Sequence, residues 1–433
     1  MTSPGEAIRR GDATVVVVGI GRVGLPLAIS FAATGFRVIG VDRDEHHVSR
    51  INAGQLPFVE AGAEALLDDT LASGRLTATT DAEGAISGAD AVIVTVGTPL
   101  GADLRADRSQ VVAAIDAWGH ALRKGTLVVM RSTLTPGTTD NLVVPALEKA
   151  TGYVVGQDLH VAFCPERIAE GKAIEELKSL PEIIGGVDKA SSAMAADLFR
   201  ALSPNKEIRI LDALSAELAK LFGNVYRYVS FALANEYALI AEHYERDAHQ
   251  IISTLRDGYP RAPVPLPGLA GGPCLSKDGY FLIEELTFPD FVLTAWKLND
   301  SMAGHMVERV SRELTMRGKA FLGAKVAVLG QAFKADIDDD RLSPSLRVIE
   351  ALERRRADVH VHDPYLGTTS LDMVVKEAEV IFLATNHREY YDIDPKQLAM
   401  LAAPDCVIAD CWNVFDPTEV EEAGLSLLTL GRG

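Results

Sequence analysis

Cys274 stands in a glycine-rich stretch, Gly271-Gly272-Pro273-Cys274-Leu275-Ser276-Lys277-Asp278, with a lysine and an aspartate within four residues of it. A lone cysteine is more often a buried thiol in a turn. Here the nearby ammonium favours the thiolate, the form of cysteine that attacks electrophilic carbon. Cys164 also precedes a proline after an apolar run but has no such neighbours, and Cys406 and Cys411 read as structural. Glu217, Lys220 and Asn224 recur at i, i+3 and i+7, which places them on one face of a helix. Taken alone that face reads as a solvated stripe, because lysine on a helix is usually exposed. Glu166 and Glu170 in CPERIAEG read, taken alone, as acidic groups stabilising a helix N-terminus.

A second constellation lies near the start of the chain. Thr14–Val18 runs directly into Gly19-Ile20-Gly21-Arg22-Val23-Gly24 and then a helix-like LPLAISFAATG, and Asp42 ends the next apolar run. Gly19 suits the tight turn, Gly21 the approach of a pyrophosphate, and Gly24 the close packing of helix on strand. Asp42 suits the hydroxyls of an adenosine ribose. A bare GxGxxG is only a glycine turn; strand, glycines, helix and acid in this order point to a dinucleotide. The carboxylate of Asp42 would repel a 2′-phosphate, so NAD is expected over NADP, with Arg43 alongside keeping NADP open.

These residues have to be held by elements the sequence also announces. Thr14–Val18, Arg37–Val41, Ala91–Val96, Thr126–Met130 and Leu159–Phe163 are short apolar runs, each followed by a turn signal and separated by helical stretches. That alternation predicts βαβ units and a parallel sheet, expected over residues 1–200. From Asp212 to about His249 the chain has helix formers, one glycine and no proline. Apolar residues recur there at Leu214, Leu218, Leu221, Val225, Tyr228, Val229, Ala232 and Leu233. The period predicts a helix of ~35 residues, or two abutting ones: a spine between domains and a natural dimer surface. Residues 257–279 form a Pro/Gly-dense loop, and loops this long without structure of their own are usually functional. Alternation resumes at Lys325–Leu329, Asp358–His362, Val380–Ala384 and Val407–Ala409. The expected plan is α/β: two Rossmann-like, doubly wound parallel-sheet domains over 1–200 and 316–433. A central helical region over 201–315 joins them and carries the Cys loop.

With 433 residues the chain is too long for one ordinary core, and 48% hydrophobic against 24% charged residues is a normal globular mix. Forty-two Lys+Arg against 60 Asp+Glu gives −18, which argues against a non-specific grip on nucleic acid or an anionic membrane. An acidic ligand would have to be held by local cations and backbone amides. Residues 1–13 are polar and lack the apolar core of a signal peptide, and no apolar stretch reaches the ~18–20 residues needed to span a bilayer. Four cysteines without metal-ligand spacing complete the expectation of a reduced, cytoplasmic protein with no metal.

Taken together and in order, GIGRVGLP, VGTP, RSTLTPGTT, PERIAEG, ELAKLFGNVYR, GGPCLSKD, VLGQAFKADIDDDRLSP and VHDP resemble the UDP-sugar 6-dehydrogenases from about residue 14 to about 415. The resemblance implies an NAD-dependent, four-electron oxidation of a sugar 6-hydroxyl through an aldehyde to a carboxylate. It makes Cys274 the thiol that captures the aldehyde as a thiohemiacetal and carries the thioester. By the same resemblance Lys220 stabilises charge on the sugar oxygen and Asn224 orients it. Asp278 and Glu170 position or deprotonate water, with Thr133 and Glu166 helping. Gly19, Gly21, Arg22, Val23, Gly24, Asp42, Arg43, Thr98, Thr133, Lys277 and Arg341 are implied for the cofactor. Glu166, Arg167, Lys220, Asn224, Gly268, Gly271 and Lys334 are implied for the substrate, with Lys334 and Arg341 coming from the second α/β domain across a cleft. Either Arg256 or Arg261 supplies a cation to a neighbouring subunit, in a homodimer or higher homo-oligomer.

The chain departs from the family pattern before the thiol. The family loop reads approximately PGPGVGG, whereas this chain has Pro267-Gly268-Leu269-Ala270-Gly271-Gly272, an alteration expected to reshape the sugar pocket. Pro273 stands where Ser or His is common. Lys277 is similar to the UDP-glucose branch, while PERIAEGKAIEELKSLPEIIGG and NVYRYVSFALANE are similar to the N-acetylhexosamine branch, which includes UDP-N-acetylmannosamine. The expected substrate is a UDP-N-acetylhexosamine, with UDP-glucose and then GDP-mannose as alternatives. Oxidation of a small hydroxy acid would not need Cys274. A non-catalytic nucleotide-sugar-binding protein would be expected to have lost at least one of Cys274, Lys220, Asn224 and Asp278, and all four are present.

Overall fold

The computed structural model describes residues 3–433. The chain forms two compact units: one reaches Gly223 and takes in Tyr280–Glu285, and the other comprises Asn224–Gly279 and Leu286–Gly433.

The first unit is built on eight strands, β1 (Thr14–Val18), β2 (Arg37–Val41), β3 (Leu76–Thr79), β4 (Ala91–Val94), β5 (Leu127–Met130), β6 (His160–Phe163), β7 (Glu182–Gly186) and β8 (Ile208–Asp212). Their order is β3-β2-β1-β4-β5-β6-β7-β8, parallel throughout except for β6 against β7. Helices cover both faces of such a sheet, so its central strands are apolar on both sides: Val15–Val18, Ala91–Val94 and Leu127–Met130 are all buried. The reversal of strand order between β1 and β4 leaves a crevice at the carboxyl ends of these strands, the standard place for a ligand in this class of sheet. β1 and β2 have the boundaries their apolar runs predict. β3, β7 and β8 carry weaker signals: four residues in LTAT, paired glycines in EIIGG, and IRILD, an edge strand exposed over most of its length. Because β8 pairs with β7, the sheet continues to Asp212, beyond the expected boundary at 200.

The second unit carries a five-stranded parallel sheet, β9 (Lys325–Leu329), β10 (Asp358–His362), β11 (Val380–Leu383), β12 (Val407–Asp410) and β13 (Ser426–Thr429), in the order β10-β9-β11-β12-β13. This 2-1-3-4-5 order is the flavodoxin-like variant of the doubly wound fold. Three helices stand beside it in sequence: Asn224–His243 of the long helix Ala213–His243, Ala248–Arg256, and Asp290–Met316. The long helix has 31 residues, so it is ~46 Å long at about 1.5 Å per residue. It stops short of the expected His249 because Glu245 turns to φ 53° and Asp247 caps a new helix, accepting from the N–H groups of His249 and Gln250.

Of the apolar positions expected to form a dimer surface, Leu221, Tyr228 and Ala232 lie instead in the interior. Leu214 and Leu233 of the expected positions are exposed, and Phe222, Tyr226, Tyr237 and Ile240 join them as exposed apolar side chains of the long helix. Among the described residues no helix is long and apolar enough to cross a membrane.

Candidate active site

The glycine turn after β1 has the shape a dinucleotide needs. Gly19 sits at φ +91°, and its N–H donates to the carbonyl of Val41 at 2.7 Å. A Cβ on Gly24 would lie 2.0 Å from the Gly19 carbonyl oxygen, so only glycine lets the following helix start this close to the strand. Gly21, by contrast, has open space where a side chain would be. Asp42 accepts from the N–H of Ile20 at 3.2 Å through Oδ2 and from the N–H of Asp44 at 3.1 Å through Oδ1. Its carboxylate therefore sits beside the turn, where ribose hydroxyls would reach it. The residues present fit NAD.

Arg22 follows the second glycine of the turn. Its guanidinium lies over the Phe58 ring at 5.2 Å and 3.9 Å from Oε2 of Glu170. It thus ties the glycine turn to the PERIAEG loop. Arg43 is exposed. Thr98 donates from Oγ1 to the carbonyl of Thr133 at 2.7 Å, linking the VGTP and RSTLTPG loops.

The PERIAEG loop is clamped by charges that the motif alone does not reveal. Arg131, immediately after β5, is buried; its Nε donates to Oε2 of Glu166 at 2.7 Å and its Nη1 to Oε1 of Glu182 at 2.8 Å. Oε1 of Glu166 accepts from the N–H groups of Arg167 (2.7 Å) and Ile168 (2.9 Å). Burial alone would raise the Glu166 pKa; the Arg131 charge and these N–H donors outweigh it and hold the carboxyl below its ordinary value. Both oxygens of Glu166 are therefore engaged in shaping the loop.

At the other end of the loop, Glu60 accepts from Gly171 N–H (2.9 Å) and Ala173 N–H (2.7 Å). Arg167 is exposed, and its guanidinium donates to the carbonyl of Pro181. Burial and the neighbouring Glu182 push the Cys164 thiol well up, in keeping with a structural cysteine.

The stripe on the long helix is not solvated. Glu217 is fully buried, accepting from Gly137 N–H (2.6 Å), Thr139 N–H (2.8 Å) and Thr139 Oγ1 (2.6 Å), while Lys220 and Asn224 are buried as well. The expectation of an exposed face fails because the carboxylate caps the turn after RSTLTP.

In the second unit Cys274 is exposed and directly precedes the helix Leu275–Ile283. One turn into that helix Asp278 is fully buried; Oδ2 accepts from Asn224 Nδ2 at 2.6 Å and Oδ1 lies 3.2 Å from Lys277 Nζ. Lys277, expected on the cofactor, is thus paired with the buried acid beside the thiol. Arg341 is paired with Asp339, Nη2 to Oδ2 at 2.6 Å, and Lys334 lies on the same 330–341 loop. Arg256 and Arg261 are both exposed, Arg261 stacking on Tyr259 at 4.7 Å.

The departure Leu269-Ala270 does not form a pocket wall. Leu269 is 2% exposed within the same core as Met302, Met306 and Val328, and Ala270 is also buried, so the altered residues anchor the loop instead. Gly268 and Gly271 press against Trp412 and Pro344, where a Cβ would come within 2.4 and 2.6 Å.

Sequence reasoning missed Arg131, Glu60, Glu182 and Asn235. A charge directly after a fully apolar strand, and an asparagine inside the apolar run Val229–Ile240, were the available signals.

Comparison with known proteins gives the family. The NAD binding, central and UDP binding domains of the UDP-glucose/GDP-mannose dehydrogenase family match residues 13–203, 214–302 and 327–417. A UDP-N-acetyl-D-mannosamine dehydrogenase of Pyrococcus horikoshii is 35% identical over 428 residues, 97% of this chain and 99% of that protein. The solved structure of the UDP-D-ManNAc dehydrogenase from that organism superposes with a TM-score of 0.91 at 32% identity, over 97% of this chain and 99% of the other. A UDP-glucose dehydrogenase from Pyrobaculum islandicum gives 0.85 at 29% identity, over 97% and 98%. With an NAD-shaped turn in the first unit, a thiol at the head of a helix in the second and all three family domains in order, this chain belongs to the UDP-glucose/GDP-mannose dehydrogenase family, as an NAD-dependent nucleotide-sugar dehydrogenase.

Proposed function

We propose that the chain oxidises the C6 hydroxyl of a UDP-N-acetylhexosamine, UDP-N-acetylmannosamine first, to the carboxylate, with Cys274 as the covalent carrier. The observation that carries the chemistry is the exposed Cys274 at the start of a helix whose buried Asp278 is held by Asn224 at 2.6 Å. The sugar is supported by the relatives named UDP-N-acetyl-D-mannosamine dehydrogenase, at 35% and 33% identity over 97% of the chain.

Bound NAD supplies the hydride acceptor for both oxidations, with Gly19, Gly21, Gly24 and Asp42 holding it. Lys220 balances negative charge on the sugar oxygen while the hydroxyl proton leaves, and Asn224 fixes that oxygen's orientation. Cys274 adds to the C6 aldehyde, giving a thiohemiacetal; loss of a second hydride leaves a thioester. Asp278 positions and deprotonates the water that releases the carboxylate and frees the thiol. One primary alcohol, two NAD⁺ and one water give one carboxylate, two NADH and three protons. Glu166 acts by shaping the loop that bears Glu170 and Arg167, since both its oxygens are already engaged.

We assign the first sheet with its helices, through Asp212, to cofactor binding, residues 316–433 to the UDP-sugar and the stretch between them to the thiol loop and assembly. The family domain matches at 13–203, 214–302 and 327–417 support that division. The exposed apolar side chains Phe222, Tyr226, Leu233, Tyr237 and Ile240 support a homodimer through the long helix. Four cysteines outside any disulfide suit the reducing cytoplasm.

The test is NADH formation from a panel of UDP- and GDP-sugars, with NAD and NADP in parallel. Two NADH per UDP-N-acetylmannosamine, and loss of carboxylate formation with retained NAD binding in Cys274→Ala, are expected. Faster turnover of UDP-glucose would reassign the sugar, and normal turnover by Cys274→Ala would remove the covalent role.

A further inference from the structure

We infer that Asn235 is a positioning residue that fixes the backbone of the Cys274 loop. The inference rests on the covalent role proposed above for Cys274. Asn235 is fully buried in the long helix, in the midst of an apolar run. Its amide grips one loop residue from both sides: Oδ1 accepts from Gly268 N–H at 3.0 Å and Nδ2 donates to the Gly268 carbonyl at 3.1 Å. This is the pairing a neighbouring strand would offer, supplied by a single side chain. The amide is itself oriented, because Nδ2 also donates to Oδ1 of the buried Asn299 (3.0 Å), whose Nδ2 donates to the carbonyl of Tyr228 (2.9 Å). A buried polar chain with each member partnered specifies one arrangement, and removing a member strands the next.

The rest of the loop leaves little slack between that grip and the thiol. A Cβ on Gly268 would lie 2.4 Å from the Trp412 ring, Leu269 is sunk in the core, and a Cβ on Gly271 would lie 2.6 Å from Pro344. Gly272, at φ +95°, packs on Phe333 and donates its N–H to the carbonyl of Leu342 at 3.1 Å. Two residues later comes Cys274. Beyond it, Trp296 donates from Nε1 to the Ser276 carbonyl at 2.9 Å, and Gly279 leaves room for the indole. The exposed thiol is thus set from both directions by buried contacts, and Asn235 makes the first of them. The Leu269-Ala270 departure fits this account, since it adds an apolar anchor directly after the amide grip.

The step that depends on this placement is capture. After the first oxidation the C6 aldehyde carbon must meet the Cys274 sulfur; the C–S bond forms, the thiol proton leaves, and the carbonyl oxygen takes up a proton. A displaced loop slows that addition without preventing the first hydride from leaving, so free aldehyde escapes after one NADH.

The experiment uses the full-length enzyme with the sugar nucleotide it turns over best. Asn235→Asp keeps the side chain's size but removes the donor to the Gly268 carbonyl. Gly268→Ala keeps Asn235 and drives a methyl against Trp412. In both, NAD affinity should stay within about twofold of wild type, because the NAD turn belongs to the other unit. The expected result is a fall in NADH per sugar from two toward one, aldehyde trapped as a hydrazone, and a kcat at least ten-fold lower. Two NADH per sugar with no trapped aldehyde in a folded variant would overturn the inference. So would failure of both variants to fold, since the bonds would then serve the whole unit and not the thiol. Cys274→Ala run alongside separates the two readings. Two NADH per sugar from it removes the covalent role itself. Loss there with normal stoichiometry in the loop variants removes only the role of Asn235.

Discussion

Arg131 and Glu166 form a buried ion pair, Nε to Oε2 at 2.7 Å, in which the same guanidinium also holds Glu182 at 2.8 Å. One cation thereby fixes the end of β5, the PERIAEG loop and the start of β7. Removing it leaves the buried Glu166 without its cation and Glu182 with only Lys206 at 3.6 Å, a loss of about 3–5 kcal/mol. Arg131→Met should therefore unfold at markedly lower denaturant than wild type, with Arg131→Lys in between because an ammonium lacks the two-sided fork.

The pH dependence of that loss follows from the sign of the shift. The Glu166 carboxyl titrates below its ordinary value in the fold, so its stabilisation is present above about pH 4.5 and fades as pH falls through the depressed value. The gap between wild type and Arg131→Met should be largest near neutral pH and narrow in acid. Denaturation curves at several pH values check this; a gap that does not change with pH would mean that packing against Phe199, 4.8 Å from the guanidinium, carries the effect.

Asp42 props the glycine turn, accepting from Ile20 N–H, and is the acid proposed for the ribose. Hydrogen bonds to a charged group are worth about 1.5–3 kcal/mol. Asp42→Ala should raise the KM for NAD by roughly ten-fold or more while leaving sugar affinity close to wild type. It should also narrow the preference for NAD over NADP, because the charge opposing a 2′-phosphate is gone. Steady-state kinetics with both cofactors would settle it, and an unchanged KM for NAD would remove Asp42 from the ribose.

Glu217 gives a test of the helix face that reads as solvated in sequence. Burial pushes its carboxyl up despite the three hydrogen bonds from Gly137 and Thr139. A raised value in the fold means the folded state holds the proton more tightly, so this group favours folding more as pH falls and less as it rises. Glu217→Gln turns an amide NH₂ toward a backbone donor and should destabilise by about 1–3 kcal/mol at pH 7. If Glu217 were solvated, the same change would be silent in chemical denaturation.

The exposed apolar stripe predicts assembly. Phe222 and Tyr226 are 57% and 61% exposed, one turn apart on the long helix. Phe222→Glu with Tyr226→Glu should convert a dimer to monomer in light scattering, or weaken it at least ten-fold. A wild-type monomer would refute the proposed interface outright.

What the sequence by itself determined was local and periodic. A valine-rich run ending in a glycine turn placed β1 to the residue, because a strand buried on both faces admits little else, and a shorter apolar run ending before Asp42 placed β2. GIGRVG with Asp42 marked the cofactor turn, since Gly19 and Gly24 answer steric demands set within a few residues. The end of the long helix was less legible: Asp247 is an ordinary capping residue, but only the backbone turning at Glu245 shows that the cap is used.

Burial, which depends on residues far away in sequence, was decided by the tertiary structure alone. Glu217 reads as exposed until Gly137 and Thr139, some 80 and 78 residues earlier, bring their N–H groups to it. Glu166 reads as an acid at a helix N-terminus until Arg131 claims one oxygen and the N–H groups of Arg167 and Ile168 the other. Leu269 reads as a pocket residue until the core of the second unit closes over it. A titratable group takes its role from the donors and charges around it, and those are assembled only when distant segments pack.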